Sequence, residues 1–459
     1  MNAPAAPPPA VTPMPKGIRY AYLFDMFNAA SWTVVLSSPM LLFLQHLHAS
    51  ATVLALSGGM AALLTTLQIP AARFVERVGY KRFVLSGWTL RTFIQVGMAI
   101  VTFLPESVDR TLRIGIMLFL SFVFCAIRGI SSCGLLPWFT HIVPDDRRGE
   151  FLSRDQMGQA CAIIVSLLAY GLFFRGNLAW YSFGVVFVAS VFFAIVSLQF
   201  LRRIPDVPVE HVTTNANPMP WREMFFYPPF FKYIRYNIVI NMALGASGIF
   251  WIRFFRTSLH VSNANVLLVN CASMTVTAGM LFLIAPVIDR FGNRQALLLS
   301  GLFLVVHFTG WACVAAGLLP FTLTILAVQT LTSGCGTALW NLANVRCIMG
   351  IVPVMGRPHF LALYSVASSL TVAIVPLLWG RVVDGLEGWH AAWGFWNWNC
   401  YSVFYVVLAC TIVAGLLLLR FVPDTKSMRW DDFMRALLVE TPSRAISRLI
   451  GRWRGPNPG

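Results

Sequence analysis

Charge is what this sequence has least of. Of 459 residues only 11% are charged and only 18 are acidic, while 57% are apolar. An ordinary soluble domain carries about 25% charged residues. The chain therefore has too little polar surface to cover a water-soluble body of its size, and the surplus apolar surface must face lipid. Catalytic signatures are lacking too. There is no Walker-A loop, no H-E-x-x-H, no nucleophile elbow and no Cys/His metal spacing, so neither an ATP-driven pump nor a membrane enzyme is supported, and no cofactor or metal is expected. The nine cysteines (Cys125, Cys133, Cys161, Cys271, Cys313, Cys335, Cys347, Cys400, Cys410) fall in or beside apolar stretches and read as small buried hydrophobes rather than disulfides. The first 17 residues, rich in Pro and Ala, have neither the basic start nor the apolar core of a cleaved leader and read as a disordered tail.

What is present is a series of apolar segments, each long enough to cross about 30 Å of hydrocarbon as a helix. Twelve are expected, near 20–44, 51–72, 83–104, 112–139, 156–174, 179–201, 236–252, 263–287, 295–318, 320–343, 359–381 and 399–420. The excess of 34 Lys+Arg over 18 acids, a net +16, sorts by side on this map. Alternating from the N-terminus, the first side collects 26 basic residues and the opposite side six, with Arg91 and Arg128 inside spans. By the positive-inside rule both termini lie in the cytoplasm, and the large charge becomes a topology signal rather than a sign of nucleic-acid binding. Trp389, Trp393, Trp396 and Trp398, before the last span, suit the aromatic belt of the membrane interface.

The chain also repeats itself. Ala72-Arg-Phe-Val-Glu76-Arg77-Val-Gly79-Tyr-Lys81-Arg82 follows span 2, and Ala285-Pro-Val-Ile-Asp289-Arg290-Phe-Gly292-Asn-Arg294 follows span 8, 213 residues later. Leu47-His48-Ala-Ser50 returns as Leu259-His260-Val-Ser262 at an offset of 212. Val143-Pro144 with Arg148 and Phe151 returns as Val352-Pro353 with Arg357 and Phe360 at 209. Three matches at nearly one offset predict two homologous six-span halves, 18–201 and 236–420. They are joined by a Pro-rich cytoplasmic linker over 202–235 and followed by a tail over 421–459.

The loop after span 2 resembles the signature of the major facilitator superfamily, G-x-x-x-D-R-x-G-R-R, and the weaker second copy sits where that family has one. The resemblance covers all twelve spans and implies an all-α membrane protein of two pseudo-symmetric six-helix halves that rock about a midplane site. In the family this loop latches the halves on the cytoplasmic side. It would do so here through Glu76, Arg77, Gly79, Lys81 and Arg82, and through Asp289, Arg290, Gly292 and Arg294. The leading glycine is Ala72 or Ala285 in this chain, and the first acid is Glu76.

A charge near the bilayer centre costs at least about 2.5–3.5 kcal/mol, so each needs an interior position or a partner. Asp25 lies in span 1, Arg91 in span 3 and Arg128 in span 4. They are the candidates for proton or ion coupling, with Asp25 paired to Arg91 or Arg128, and a purely structural ion pair is the alternative. Arg128 resembles the arginine of the family's R-x-x-Q-G motif, although Ser131 and Ser132 replace Gln-Gly; span 5 lacks the G-x-x-x-G-P pattern of the family's drug/proton antiporters. The position matching Asp25 at the 212 offset is Asn237, which does not titrate.

Candidates for lining a substrate cavity are Asn28, Trp32, Ser131, Asn237, Asn241, Trp340, Asn341 and Tyr364, with Asn344, Ser365 and Ser368 nearby. Amide, hydroxyl and indole groups of this kind suit a small polar or amphipathic solute. Each also reads as a helix–helix hydrogen bond, and His307 reads as packing. An apolar stripe from Trp430 to Trp453, with Arg444, Arg448 and Arg452 beside it, predicts an amphipathic tail on the anionic inner leaflet, or a partner-binding helix. The reading is a monomeric secondary transporter in the cytoplasmic membrane. A non-transporting sensor or assembly factor of the same fold is the alternative.

Overall fold

Prolines and capping residues decide where the apolar runs become helices. The computed structural model describes residues 15, 17–105, 107–144, 147–175, 181–207, 227–291, 293–352 and 357–423. The N-terminal tail through residue 14, most of the linker and the amphipathic tail lie outside the described residues.

Three spans are broken helices, each with a proline just beyond the break. Span 1 is α1 (Ile18–Leu36) and α2 (Ser38–His46), interrupted at Ser37, which is extended ahead of Pro39. Span 2 is α3 (Ala51–Thr65) and α4 (Gln68–Val78), with Pro70 after the break. Span 4 is α6 (Arg110–Ser132) and α7 (Leu135–Ile142), with Pro137. A proline offers no N–H to the carbonyl four residues back, here Val35, Thr66 or Cys133, so the helical ladder is interrupted before it. The remaining spans are single helices: α5 (Tyr80–Thr102), α8 (Arg148–Phe173), α9 (Ser182–Arg203), α10 (Pro228–Thr257), α11 (Asn263–Phe291), α12 (Asn293–Ala315), α13 (Leu323–Ile351), α14 (Arg357–Gly385) and α15 (Cys400–Leu419).

Local chemistry sets several starts. The Asp109 carboxylate accepts from Leu112 N at α6, and Thr322 Oγ1 accepts from Ile325 N at α13. Asn399 and Ser402 form a reciprocal capping box at α15, and Pro228 occupies the first turn of α10, where its missing N–H costs nothing. Among the described residues, eleven spans are apolar enough to cross a membrane. The expected tenth span, α13, is long enough but is interrupted by Gln329, Asn341, Asn344 and Arg346.

Two details differ from, or add to, the sequence reading. The fold is not wholly helical: Ala391–Trp393 (β1) and Trp396–Trp398 (β2) pair as a hairpin between spans 11 and 12. Gly394, at φ 62°, supplies the positive φ that a two-residue turn needs, and alternating Trp side chains favour the strand. Among the described residues, His48 (φ 59°) and His260 (φ 50°) are the non-glycine residues with positive φ, and they are equivalent members of the 212-residue repeat. Each precedes a serine that caps the next helix, Ser50 Oγ accepting from Val53 N and Ser262 Oγ from Asn265 N, both at 3.3 Å.

The chain divides into two compact units. The first comprises Met1–Met40, Leu64–Ser166 and Leu178–Thr213, and its core includes Phe24, Val84, Trp88, Trp138, Phe139 and Leu201. Within it α6 meets span 2 closely: a Cβ on Gly129 would lie 2.1 Å from the Leu64 carbonyl oxygen. The second unit comprises Leu41–Leu63, Leu167–Asn177 and Thr214–Gly459, with Phe254, Phe255, Trp311, Tyr401 and Tyr405 interlocked edge to face or tilted. Here α3 lies against α14 through small residues. A Cβ on Gly59 would be 2.8 Å from the Ala373 carbonyl, and one on Gly380 would be 2.7 Å from Thr52 Cα. In lipid such backbone approach supplies the dispersion contact that replaces a hydrophobic driving force.

Candidate functional site

Each unit holds a cluster of buried polar side chains, beginning with Asp25 in one and Asn237 in the other. In the first unit they come from spans 1, 3, 5 and 6. Asp25 is buried on α1, and the carboxyl that faces it is that of Asp155 on α8, itself buried and held by Gln159 Nε2 donating at 2.7 Å. The second carboxylate oxygen of Asp155 receives no amide, hydroxyl or guanidinium donor among the described residues.

The expected ion pair of Asp25 with Arg91 or Arg128 is not formed among the described residues. Arg91 is near enough to act on Asp25 electrostatically, but its Nη2 donates instead to Asn28 Oδ1, one helical turn along α1. Trp88 Nε1 donates to the same oxygen at 3.2 Å. The guanidinium is sandwiched by aromatic rings, 4.8 Å from the Trp88 centroid and 5.2 Å from Phe124, an arrangement that stabilises a cation without a carboxylate. Its Nε and Nη1 have no protein partner. Deeper in the bundle Gln95 donates to Ser31 Oγ and Ser190 Oγ, closing spans 1, 3 and 6 together.

Arg128 makes no ion pair among the described residues. Ser131 is committed to packing: its hydroxyl bonds the Ile127 carbonyl, and its Cβ sits where a side chain on Gly87 would be. Trp32 is half-buried on α1.

In the second unit Asn237, Asn241 and Tyr364 do come together, with Asn344, Ser368 and Tyr233. Asn237 Nδ2 donates to Asn344 Oδ1 (3.0 Å) and, at 3.4 Å, to Tyr364 OH; Ser368 Oγ donates to Asn237 Oδ1 (2.7 Å); Asn344 Nδ2 donates to Tyr364 OH (2.6 Å). Tyr233 OH donates to the Asn344 carbonyl at 2.7 Å, and Asn241 Nδ2 donates back to Asn237 Oδ1. Trp340 is buried against Tyr236 with ring centroids 5.7 Å apart, while Asn341 is exposed on another face of α13.

The two clusters are related by the offsets of the sequence repeats. Asp25 and Asn237 are 212 residues apart, and Asp155 and Gln159 precede Tyr364 and Ser368 by 209, the offsets of the repeats. Span 1 meets span 5 through Asp25 and Asp155, as span 7 meets span 11 through Asn237, Tyr364 and Ser368. One copy is carboxylic and the other neutral. Sequence reading missed Asp155 and Tyr233 because α8 and α10 begin eight residues before their apolar runs; the Asp155/Gln159 spacing of one helical turn was the available signal.

A third polar group lies in the second unit, at the ends of spans 7 and 11 remote from this cluster. Asp384, near the C-terminus of α14, accepts from Ala51 N (2.7 Å), Thr52 N (2.9 Å) and Thr52 Oγ1 (2.7 Å), and so caps α3 from more than 330 residues away. Arg253 is 3.8 Å from Asp384 and 3.2 Å from Glu387, and points Nη1 at the Ala49 carbonyl. Of the repeated loop motif, Gly79 takes φ 89° between α4 and α5, and Lys81 Nζ donates to the Ile204 carbonyl at 2.8 Å. Arg77 and Arg82 are exposed, and Arg294 is half-buried. Gly292 and the side chains of Glu76, Asp289 and Arg290 lie outside the described residues.

Comparison with known proteins agrees with this architecture. No curated protein matches the sequence significantly. Among solved structures, a D-xylose-proton symporter superposes with a TM-score of 0.69 at 16% identity, covering 90% of this chain and 99% of the other. The nucleoside transporter NupG gives 0.66 at 12%, covering 89% and 100%, and a peptide transporter, POT, gives 0.65 at 13%, covering 89% and 94%. At such identities the likeness is one of fold. The sequence profile of the Major Facilitator Superfamily matches residues 22–344, most of the chain. Buried polar clusters inside a helical membrane bundle, the repeated loop motif and this match lead to one conclusion: the chain belongs to the Major Facilitator Superfamily and is a multi-pass secondary transporter rather than an enzyme.

Proposed function

We propose that the protein moves a small polar or amphipathic organic solute across the cytoplasmic membrane by alternating access, coupled to a proton held between Asp25 and Asp155. The observation that carries this reading is the pair itself. Two buried carboxyls face one another, and Arg91 is bonded to Asn28 instead of to either. Two carboxylates sharing one site cannot both ionise cheaply, so the pair favours a single shared proton. Arg91, unpaired on two of its nitrogens, stands ready to take a carboxylate when that proton leaves.

The neutral cluster at Asn237, Asn344, Tyr364 and Ser368 supplies donors and acceptors but no charge, which suits recognition of a polar solute. The matched offsets, and the twin positive-φ residues His48 and His260, support two homologous six-span halves. The 26-to-6 distribution of basic residues supports cytoplasmic termini, with the loop motif on that side and Asp384 on the other. The tail's basic stripe would rest on the anionic inner leaflet, and the protein acts as a monomer.

Purified protein in proteoliposomes, screened with neutral and zwitterionic solutes under an imposed pH gradient, tests this. Uphill accumulation is expected for the wild type. Asp25→Asn and Asp155→Asn should each abolish pH-driven accumulation while retaining solute exchange. Accumulation that keeps its pH dependence in both variants overturns the proton role. Absence of any solute movement overturns the transport reading.

A further inference from the structure

Spans 7, 8, 9, 10 and 12 line a half-open cavity of about 130 Å³ that the clusters described above do not use. Its place on α10 is Ser247–Trp251, ten to fourteen residues beyond Asn237, or about 15–21 Å along the helix. No Asp, Glu, Lys or Arg lines it. Three of its wall residues carry buried polar atoms with no hydrogen-bond partner in the protein: Trp311 Nε1, Gln329 Oε1 and Tyr405 OH. All three residues are at least 96% buried. A fourth, His307, has its Nδ1 3.0 Å from the Gln329 carbonyl. A carbonyl only accepts, so Nδ1 carries the proton and Nε2 of the neutral ring is left as an acceptor.

The wall therefore offers an indole donor, a phenol, an amide oxygen and an imidazole nitrogen, set among the rings of Trp251, Phe308 and Trp311. Buried polar groups of this kind are seldom left unpaired. By liquid volume the space equals roughly four waters, and buried waters form about three hydrogen bonds each. The aromatic walls serve such a water cluster poorly. One body with a flat or carbon-chain face and both donor and acceptor atoms satisfies rings and orphan groups together. The lack of formal charge in the lining excludes an ion.

We propose that this cavity is a second ligand site, separate from the transport clusters, that takes an uncharged solute of about four to six heavy atoms with both donor and acceptor groups, of the small carboxamide or polyol class.

Saturation-transfer NMR on the purified full chain, with acetamide and glycerol as probes and acetate and methylammonium as charged controls, tests this. Saturable transfer to acetamide, competed by glycerol and absent for the ions, is expected. It should fall at least tenfold in Tyr405→Phe/Gln329→Met. A Cβ on Gly248, which lines the cavity, meets nothing within 4 Å, so a larger side chain can leave the helix there, and Gly248→Leu adds bulk at the cavity wall. Gly248→Leu should remove the signal while leaving the thermal midpoint unchanged, whereas Asn237→Ala should leave it intact. No saturable transfer in the wild type shows a cavity for water only and overturns the proposal. So does a signal that survives Gly248→Leu, or one equally strong for acetate. Because the readout is binding alone, failure here leaves the transport reading standing.

Discussion

Removing the Asp384 carboxylate tests whether one side chain holds the start of the second span. Asp384→Ala deletes three hydrogen bonds at once, from Ala51 N, Thr52 N and Thr52 Oγ1. Losing a helix N-cap costs about 0.5–2 kcal/mol, a hydrogen bond to a charged acceptor contributes about 1.5–3 kcal/mol, and a carboxylate at a helix N-terminus about 0.3–1 kcal/mol. The three overlap, because one group supplies them all, and its side chain is 25% exposed. A combined loss of about 2 kcal/mol is expected, close to a 30-fold shift in the local opening equilibrium. Asp384→Asn keeps one accepting oxygen and exchanges the other for an NH2 that cannot accept, so the charge and part of the cap are lost, and about 1 kcal/mol and ~5-fold are expected. Glu387→Ala is the control: its side chain is 69% exposed, and its pair with Arg253 is worth less than about 0.5 kcal/mol after solvent screening. Hydrogen exchange of the amides at 51–54 reads the opening directly. If Asp384→Ala and Glu387→Ala exchange at the wild-type rate, the capping argument is wrong. If both accelerate equally, the whole loop rather than the cap carries the stability.

Other substitutions probe the packing and the neutral cluster. Gly129→Ala places a methyl 2.1 Å from the Leu64 carbonyl and should lower stability by about 1–3 kcal/mol, whereas Gly115→Ala, with nothing within 4 Å, should be neutral; thermal unfolding in detergent compares them. Tyr233→Phe removes the donor to the Asn344 carbonyl at the buried junction of spans 7 and 10, and should cost about 1–3 kcal/mol in the same assay. Arg91→Lys should cost more than the loss of one hydrogen bond, because an ammonium cannot lie flat between Trp88 and Phe124 while still reaching Asn28. Near-wild-type stability in Arg91→Lys would show that the ring sandwich contributes little.

Charge placement and apolar length made the spans legible in the sequence, because few other physical demands act on a segment surrounded by lipid. Asp25 and Arg91 stood out as charges within apolar runs. Asp155 did not, because α8 starts at Arg148 and its first two turns read as loop. Tyr233 was hidden the same way at the start of α10. Arg253, Asp384 and Glu387 lie at or beyond the ends of apolar runs, and nothing in a linear pattern says that an acid near residue 384 caps a helix at 51. The Asn28 contact shows a further limit. Charge arithmetic pairs Arg91 with the nearest acid, while the folded bundle gives it an amide and two rings.

On the coupling proposed above, the matched clusters set the driving force available to the protein. Where the first unit has Asp25, Asp155 and Gln159, the second has Asn237, Tyr364 and Ser368, so one cluster carries carboxyls and the other none. On the proposed one-proton coupling, a neutral solute gains the electrical energy of one charge, about 2.3 kcal/mol per 100 mV, plus about 1.4 kcal/mol per unit of pH difference; 100 mV alone is about a fiftyfold concentration ratio. Restoring a carboxyl at Asn237 is the change that would raise that driving force. On that proposal the stoichiometry resides in the same side chains that make the helix contacts.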